Sequence, residues 1–181
     1  AWQALLARGV GGDVHLLLDN PPAGNPADLE DAPVQVADEL VRSFDGAMRE
    51  IVIVSAYLIP TPHLEGAVER AIARGVSVRM LTNSISSNNH LSAHAAYRNH
   101  VDGLLRHGVA LYEVRADARD RHLYMSRPTD AKQLALHAKA LIIDSDKVFV
   151  GSANLDPRSL RINTEMGLLV TSTALNEALR D

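Results

Sequence analysis

Apolar positions along this chain switch between two periods, and the switches mark alternating helices and strands. Ala37, Leu40, Val41 and Phe44 fall three and four apart, the spacing of a helix with one apolar face. Ile51 to Ala56 is a continuous apolar run of the kind buried in a parallel sheet. Thr61-Pro62 is a helix start, Leu64, Val68, Ala71 and Ile72 make the stripe that follows, and Gly75 ends it. Val76 to Thr82 reads as the next strand. Ser92 is placed to cap a third helix with Ala93, Tyr97, Val101, Leu104 and Leu105 inward, Gly108 stops it, and Val109 to Val114 returns as a strand. The last third changes character. A strand over Leu134 to Ile143 turns at Asp144-Ser-Asp-Lys147 into a hairpin partner at Val148 to Val150, followed by a strand from Met166 to Val170 and a short helix from Thr173. At the front, Ala1 to Gly12 is helical and then Gly-rich, Val14 to Asp19 is a short strand, and Asn20 to Pro26 is a loop by its Pro and Gly content. The pattern predicts an α/β fold with a mixed, mostly parallel sheet flanked by helices on both faces. It places that domain at residues 34–181 and makes 1–33 a linker-like segment with a short helix and strand.

The polar residues that interrupt the later strands carry the candidate chemistry. On a strand, side chains two apart share a face, so His137 and Lys139 open onto one pocket. Gly151-Ser152-Ala-Asn154 and then Glu165 follow. Attack on a phosphodiester builds negative charge on its non-bridging oxygens, where preorganised cations and hydrogen-bond donors are worth most. Lys139 supplies the positive charge, Asn154 an amide donor, and Ser152 a hydroxyl. A neutral imidazole attacks phosphorus and is displaced in a second step by water or an alcohol, which makes His137 the candidate nucleophile. Its tautomer is fixed if a carboxylate accepts its second N–H, and Glu165, at the start of the last apolar strand, is the candidate acceptor. Asp144 meets the hairpin turn and reads as a scaffold residue, as does Gly151.

These residues resemble the signature of the phospholipase D superfamily: His-x-Lys with an Asp five residues after the Lys, then Gly-Ser-x-Asn. His137, Lys139, Asp144, Gly151, Ser152 and Asn154 fill every position, and the acidic residue that the family places 28 residues beyond the His is Glu165. The run Asn154-Leu-Asp-Pro-Arg-Ser-Leu-Arg-Ile-Asn-Thr-Glu165 resembles the cardiolipin synthase branch, and Ser55 to Pro60 and Thr82-Asn-Ser-Ile resemble the second half of such an enzyme. The resemblance covers about Val34 to Asp181. It implies a metal-independent phosphohistidine mechanism with no cofactor. It also implies a general acid supplied by a second copy of the motif, since displacing an alcohol at neutral pH calls for one. Only one copy is present here, so the second comes from upstream in a longer polypeptide or from a second chain, and the upstream arrangement is preferred. One motif does not distinguish nucleophile from acid, and His137 is assigned the nucleophile role.

Composition narrows the partners. The 181 residues are 46% hydrophobic and 22% charged, enough for one packed domain, with a formal charge of −4 that gives no overall attraction for nucleic acid. Without cysteine, thiolate metal sites and disulfides are excluded. No apolar run approaches a membrane span, so the chain reads as soluble as given, and the resemblance implies a full-length protein that is cytoplasmic or peripheral at a bacterial inner membrane. His90 and His94, with His100 and His107 following, have a spacing able to hold zinc on a helix. Ser92 between them and the lack of a third ligand favour solvated or pocket-lining histidines. His94, Arg158 and Tyr124 are candidate substrate contacts, the last within Arg115 to Lys132, a stretch long enough for a lid or head-group contact. Three functions are weighed: a phospholipid enzyme transferring or hydrolysing phosphatidyl groups, which is preferred; a one-motif homodimeric nuclease or phosphodiesterase, disfavoured by the acidic balance and few aromatics; and a non-catalytic interaction half.

Overall fold

The computed structural model describes residues 9–19, 35–120, 122 and 134–180. Its elements in chain order are β1 (Asp13–Leu18), α1 (Gln35–Gly46), β2 (Glu50–Ser55), α2 (Pro62–Ala73), β3 (Ser77–Asn83), α3 (Leu91–His107), β4 (Ala110–Val114), β5 (Lys139–Ile143), β6 (Lys147–Gly151), α4 (Pro157–Arg161), β7 (Met166–Thr171) and α5 (Thr173–Ala178). The strands form one mixed sheet in the order β1-β7-β6-β5-β2-β3-β4. The β2-β3 and β3-β4 pairings are parallel and the other four antiparallel. The mostly parallel sheet expected from the apolar runs is therefore confined to the half carrying the β-α-β crossovers, while the hairpins make the rest antiparallel.

Cross-strand partners share a face, so the register sorts the side chains. Ile51 and Ile53 of β2 align with Val78 and Met80 of β3 and with Ile143 and Leu141 of β5, and Leu141 aligns with Phe149 of β6. This face packs in one core with Val36, Leu40 and Phe44 of α1, Leu64, Ala67, Val68 and Ala71 of α2, and Tyr97 and Leu104 of α3. The three long helices of the described residues thus gather on one face rather than dividing between two. On the other face Val14, Leu16, Leu18, Val150, Met166 and Leu168 are exposed. None of the described helices is long and apolar enough to cross a membrane.

Local signals set most boundaries. Thr61 caps α2 by accepting from Leu64 N–H ahead of Pro62, and Gly75 (φ 88°) and Gly108 (φ 98°) take the left-handed conformation after α2 and α3. The cap expected at Ser92 falls instead on His90, whose extended backbone starts α3 at Leu91 with no side-chain cap bond. The strand expected over 134–143 begins only at Lys139. The reason is Asn83, buried at the end of β3, whose amide donates to Leu136 O (2.9 Å) and Ala56 O (3.0 Å) while its carbonyl accepts from Leu136 N (2.8 Å). The backbone bonds that would extend β5 are satisfied by this side chain. At the front, β1 is an edge strand of the same sheet, paired with β7 over six residues, so the 13–18 part of the expected linker belongs to the domain. The expected helix start at 1–8 and the loop Asn20 to Pro26 lie outside the described residues.

At the opposite end of the sheet Asp144, at φ 51° in the β5-β6 turn, accepts from the backbone N–H groups of Met48, Arg49 and Glu50 and so ties that turn to the entry of β2. Burial alone would raise its pKa, but the N–H bonds and Lys147 outweigh this and hold the carboxyl below its ordinary 3.8. A depressed carboxyl contributes stability that is present above the unfolded pKa and lost as pH falls through the folded one. Asp144→Asn, which keeps the turn conformation, should cost about 1–2 kcal/mol at neutral pH. In urea titrations across pH, the gap to the parent should close on acidification below the ordinary carboxyl range. Asn83→Ala should lower stability by about 1–3 kcal/mol by orphaning both polar groups of Leu136, a loss that Leu136 side-chain changes would not reproduce in the same titration.

Candidate active site

In a parallel unit ligands gather beyond the carboxyl ends of the strands, and here the antiparallel strands deliver their own ends to the same place. β2 ends at Ser55 and β3 at Asn83, β5 starts at Lys139 opposite Ser55, β6 ends at Gly151, β7 starts at Met166, and β1 ends at Leu18 opposite Met166. His137 is exposed just before β5, in the segment held by Asn83. Lys139 is partly buried, and its Nζ donates to His137 O at 2.8 Å. Burial pulls the Lys139 pKa down, opposed by the Glu165 and Asp156 carboxylates.

Gly151 and Gly167 stand opposite each other on β6 and β7, with the Phe149 ring lying across both. A Cβ at Gly151 would fall 2.6 Å from Met166 O, and one at Gly167 would fall 2.2 Å from the Phe149 ring, so only glycines permit this approach. The close passage sets Ser152 against Glu165. Ser152 N donates to Met166 O (2.9 Å), Met166 N to Ser152 Oγ (3.0 Å), and the Ser152 hydroxyl forms a short hydrogen bond to Glu165 Oε2. Glu165 is 6% exposed and its other oxygen accepts from Asn163 Nδ2 at 3.0 Å. Among the described residues no hydrogen bond joins His137 to Glu165, whose two carboxylate oxygens accept from Ser152 and Asn163.

Asn154 lies on the segment leading from β6 to α4. That segment is pinned to β2 through Leu155 N to Ser55 Oγ (3.1 Å) and Ile59 N to Leu155 O (2.6 Å). Asn154 Oδ1 is buried with no hydrogen-bond partner among the described residues. Asp156 caps α4 by accepting from Ser159 N at 2.9 Å, which presents Arg158 to a cavity of about 700 Å³ shared with Asn154, Asn163, Tyr57 and His90. A second cavity, about 480 Å³, adjoins His137 and is lined by Leu81, Val114, Arg115 and residues 134–138.

His137, Lys139, Ser152, Asn154, Glu165 and Arg158 thus gather at one end of the sheet, whereas Asp144 is at the far end. His94 is buried inside α3 against Tyr97 and does not line either cavity; its Nδ1 has no partner among the described residues. His100 and His107 face Glu65 and Glu69 of α2. Among the described residues no group of three His, Asp or Glu is placed to hold a metal ion. Tyr124 lies outside the described residues. Four residues that the sequence reading did not assign to the site also stand there. Asp19, 6% exposed, exchanges bonds with Glu165: its N–H donates to Glu165 O (2.9 Å), and its carboxylate accepts from Glu165 N (3.3 Å) and Val36 N (2.9 Å). Burial pushes the Asp19 pKa up, with the Glu165 charge adding to it against the backbone bonds. Ser55, Asn83 and Tyr57, the last edge-on to His90 and donating to Asn89 Oδ1, complete the surroundings. Only Asp19 left no sequence signal, since an acid ending a short strand reads as a turn.

The family model described as "Cardiolipin synthase, PLD-like domain" matches residues 40–181. Cardiolipin synthase C of Escherichia coli K12 is 38% identical over 128 residues, covering 70% of this chain and 27% of that protein. Cardiolipin synthase B of Salmonella typhi is 33% identical over 135 residues, 75% of this chain and 28% of that protein. The chain therefore spans little more than a quarter of these relatives. Among solved structures, NucT from Helicobacter pylori (TM-score 0.64, 16% identity) covers 94% of this chain with 92% of its own. The phospholipase D family member Nuc from Salmonella typhimurium (TM-score 0.60, 20% identity) covers 94% with 90% of its own, and both share the fold. From the matched residues and the identity to the curated relatives, the chain belongs to the phospholipase D superfamily, in its cardiolipin synthase PLD-like domain family.

Proposed function

We propose that this chain is the motif-bearing half of an enzyme that cleaves phospholipid phosphodiesters and passes the phosphatidyl group to an alcohol or water. The observation that carries this reading is the convergence of His137, Lys139, Ser152, Asn154 and Glu165 at one sheet end, in a chain whose curated relatives include cardiolipin synthases. A ring nitrogen of His137 attacks phosphorus and the bond to the head-group oxygen breaks. The departing oxygen takes a proton from a general acid on a second phospholipase D-like half, upstream in the same polypeptide or on another chain. The incoming alcohol or water then gives its proton to that same group, now a base, bonds to phosphorus and breaks the P–N bond, which returns the imidazole. Lys139 and Asn154 meet the charge that grows on the non-bridging oxygens. Glu165, holding Ser152 and facing the Lys139 charge, sets the negative potential that favours the imidazolium-like intermediate. The substrate brings the enzyme to the membrane surface, and no metal or cofactor enters.

A second reading is favoured by one observation: NucT and Nuc, whose structures this chain nearly covers end to end, are units of about its own size. On that reading two identical chains pair into a nuclease or other phosphodiesterase. Activity of the assembled enzyme on phosphatidylglycerol against DNA separates the two.

In the assembled enzyme His137→Ala should abolish turnover of phosphatidyl substrates with the thermal midpoint little changed, and quenching in denaturant at alkaline pH, where a P–N bond survives, should trap a covalent phospho-protein in the parent only. Normal turnover by the variant would end the assignment. Lys139→Ala and Asn154→Ala should each lower kcat about 10²-fold or more, read in the same assay.

Glu165→Gln keeps shape and removes the charge that favours the imidazolium-like intermediate, so kcat should fall about 10²-fold or more. A destabilised protein with an undiminished rate per folded molecule would make Glu165 purely structural.

A further inference from the structure

Ser152 and Asn163 hold the carboxylate of Glu165, and both of its main-chain polar groups are bonded to one other residue, Asp19. The register of β1 on β7 pairs Leu17 with Gly167 and Leu18 with Met166, so the next pair in line is Asp19 and Glu165. In an antiparallel ladder a hydrogen-bonded pair exchanges two bonds, each N–H donating to the opposite carbonyl. Asp19 N donates to Glu165 O at 2.9 Å, as the ladder requires, but Glu165 N donates to Asp19 Oδ2 at 3.3 Å. The Asp19 side chain thus supplies the last acceptor of the ladder after β1 has ended at Leu18.

The second oxygen of the same carboxylate, Oδ1, accepts from Val36 N at 2.9 Å. Val36 is the second residue of α1, and the N–H groups of a helix's first turn have no partner within the helix. Val36 is also buried in the core with Leu40 and Phe44, so this end of α1 is firmly seated. One buried carboxylate therefore braces the main chain of Glu165 against α1. It does so from a part of the chain that precedes the matched residues 40–181, and it lines neither cavity.

We infer that Asp19 is a positioning residue for the reaction: it fixes the main chain of Glu165 so that the Glu165 charge stays where it favours the imidazolium-like intermediate. The inference rests on the role given to Glu165 in the proposed function, and it extends the working unit of the site to β1 and the start of α1. Its physical basis is that charge–charge interactions depend on separation, and that a misplacement of about 1 Å by a change away from the reacting atoms can lower a rate by about 10²-fold.

Asp19→Asn keeps the size of the side chain, but its amide nitrogen cannot accept, so one of the two N–H bonds is lost. In the assembled enzyme, well below its thermal midpoint, kcat per folded molecule should fall about 10-fold or more while KM changes little. The deciding measurement is a double-mutant cycle on kcat with Glu165→Gln. Once the Glu165 charge is gone, Asp19→Asn should alter kcat by no more than about 2-fold, the range expected of uncoupled changes. Parent kcat per folded molecule in Asp19→Asn makes the residue structural and overturns the inference, as does an equal loss in both backgrounds, which would mean that Asp19 acts without Glu165. Both results leave Glu165 in its role, whereas parent kcat in Glu165→Gln overturns that role and the inference together. If Asp19→Asn does not fold, Asp19→Ser goes through the same cycle, and failure of both to fold makes Asp19 a folding residue and overturns the inference.

Discussion

The candidate site rests on the burial of one carboxylate. Glu165 is 6% exposed, and removing a carboxylate from water is unfavourable by several kcal/mol unless hydrogen bonds and an opposite charge replace the lost hydration. The replacements come from three places in the sequence: the hydroxyl of Ser152 at the end of β6, the amide of Asn163 in the turn after α4, and the Lys139 charge at the start of β5. Asn163 lies only two residues from Glu165, whereas the Ser152 and Lys139 contacts exist only once the β5-β6-β7 meander has formed. The Ser152 contact further requires β6 and β7 to pass at glycine distance, with Gly151 facing Gly167 under the Phe149 ring. The Gly-Ser pair of the motif is thus a packing requirement and a polar one together.

Two other acids show the same principle with opposite outcomes. Asp19 and Asp144 each accept backbone N–H bonds from a distant segment, Asp19 from Val36 and Glu165, Asp144 from Met48, Arg49 and Glu50. Asp19 is more deeply buried and lies beside a second acid, so its pKa rises. Asp144 is less buried, and its backbone donors with Lys147 nearby outweigh that burial, so its pKa falls. The sheet is pinned at both ends by carboxylate-to-backbone contacts, and at the end carrying Glu165 the carboxylates of Glu165 and Asp156 act on the same cation. There the partly buried Lys139 is the cation against which they balance.

How far the sequence reveals this depends on whether an element's determinants are local. Thr61-Pro62, Gly75 and Gly108 announce α2 and the end of α3, and period-two and period-3.6 runs announce the sheet and its helices. The start of β5 was misplaced because alternation in residues 134–138 looks like strand while the backbone is held by Asn83, which lies more than fifty residues upstream. The one-sided arrangement of the long helices is likewise a tertiary outcome: apolar stripes say that a helix packs, and the strand register decides where. The motif residues were legible as a group, because strand alternation and spacing place them. The partner of Glu165 was not, since Ser152 and Asn163 reach its oxygens through a turn whose path no local pattern dictates. Asp19 was invisible for the same reason, its role depending on β1 adding to the edge of β7.

What the proposed chemistry still requires follows from the state of His137. Glu165 is deeply buried and Lys139 partly so, while the ring that would attack is exposed, with neighbours that steady its backbone through Lys139 and Asn83. Electrostatic stabilisation of a charged transition state is strong only where water is excluded, because in bulk water the same charges are screened to about 1 kcal/mol at contact distances. A site open at its nucleophile therefore gains most of its effect when another surface closes over it. The proton for the leaving oxygen has to come from the side opposite the attack, which is the open side. On the proposed function, shielding and acid would be met by one event, the docking of a second half over His137, and this chain covers 27% of cardiolipin synthase C. On this view the exposure of His137 is the counterpart of the burial of Glu165: one side of the site is finished within the chain, and the other is shaped to be completed by a partner.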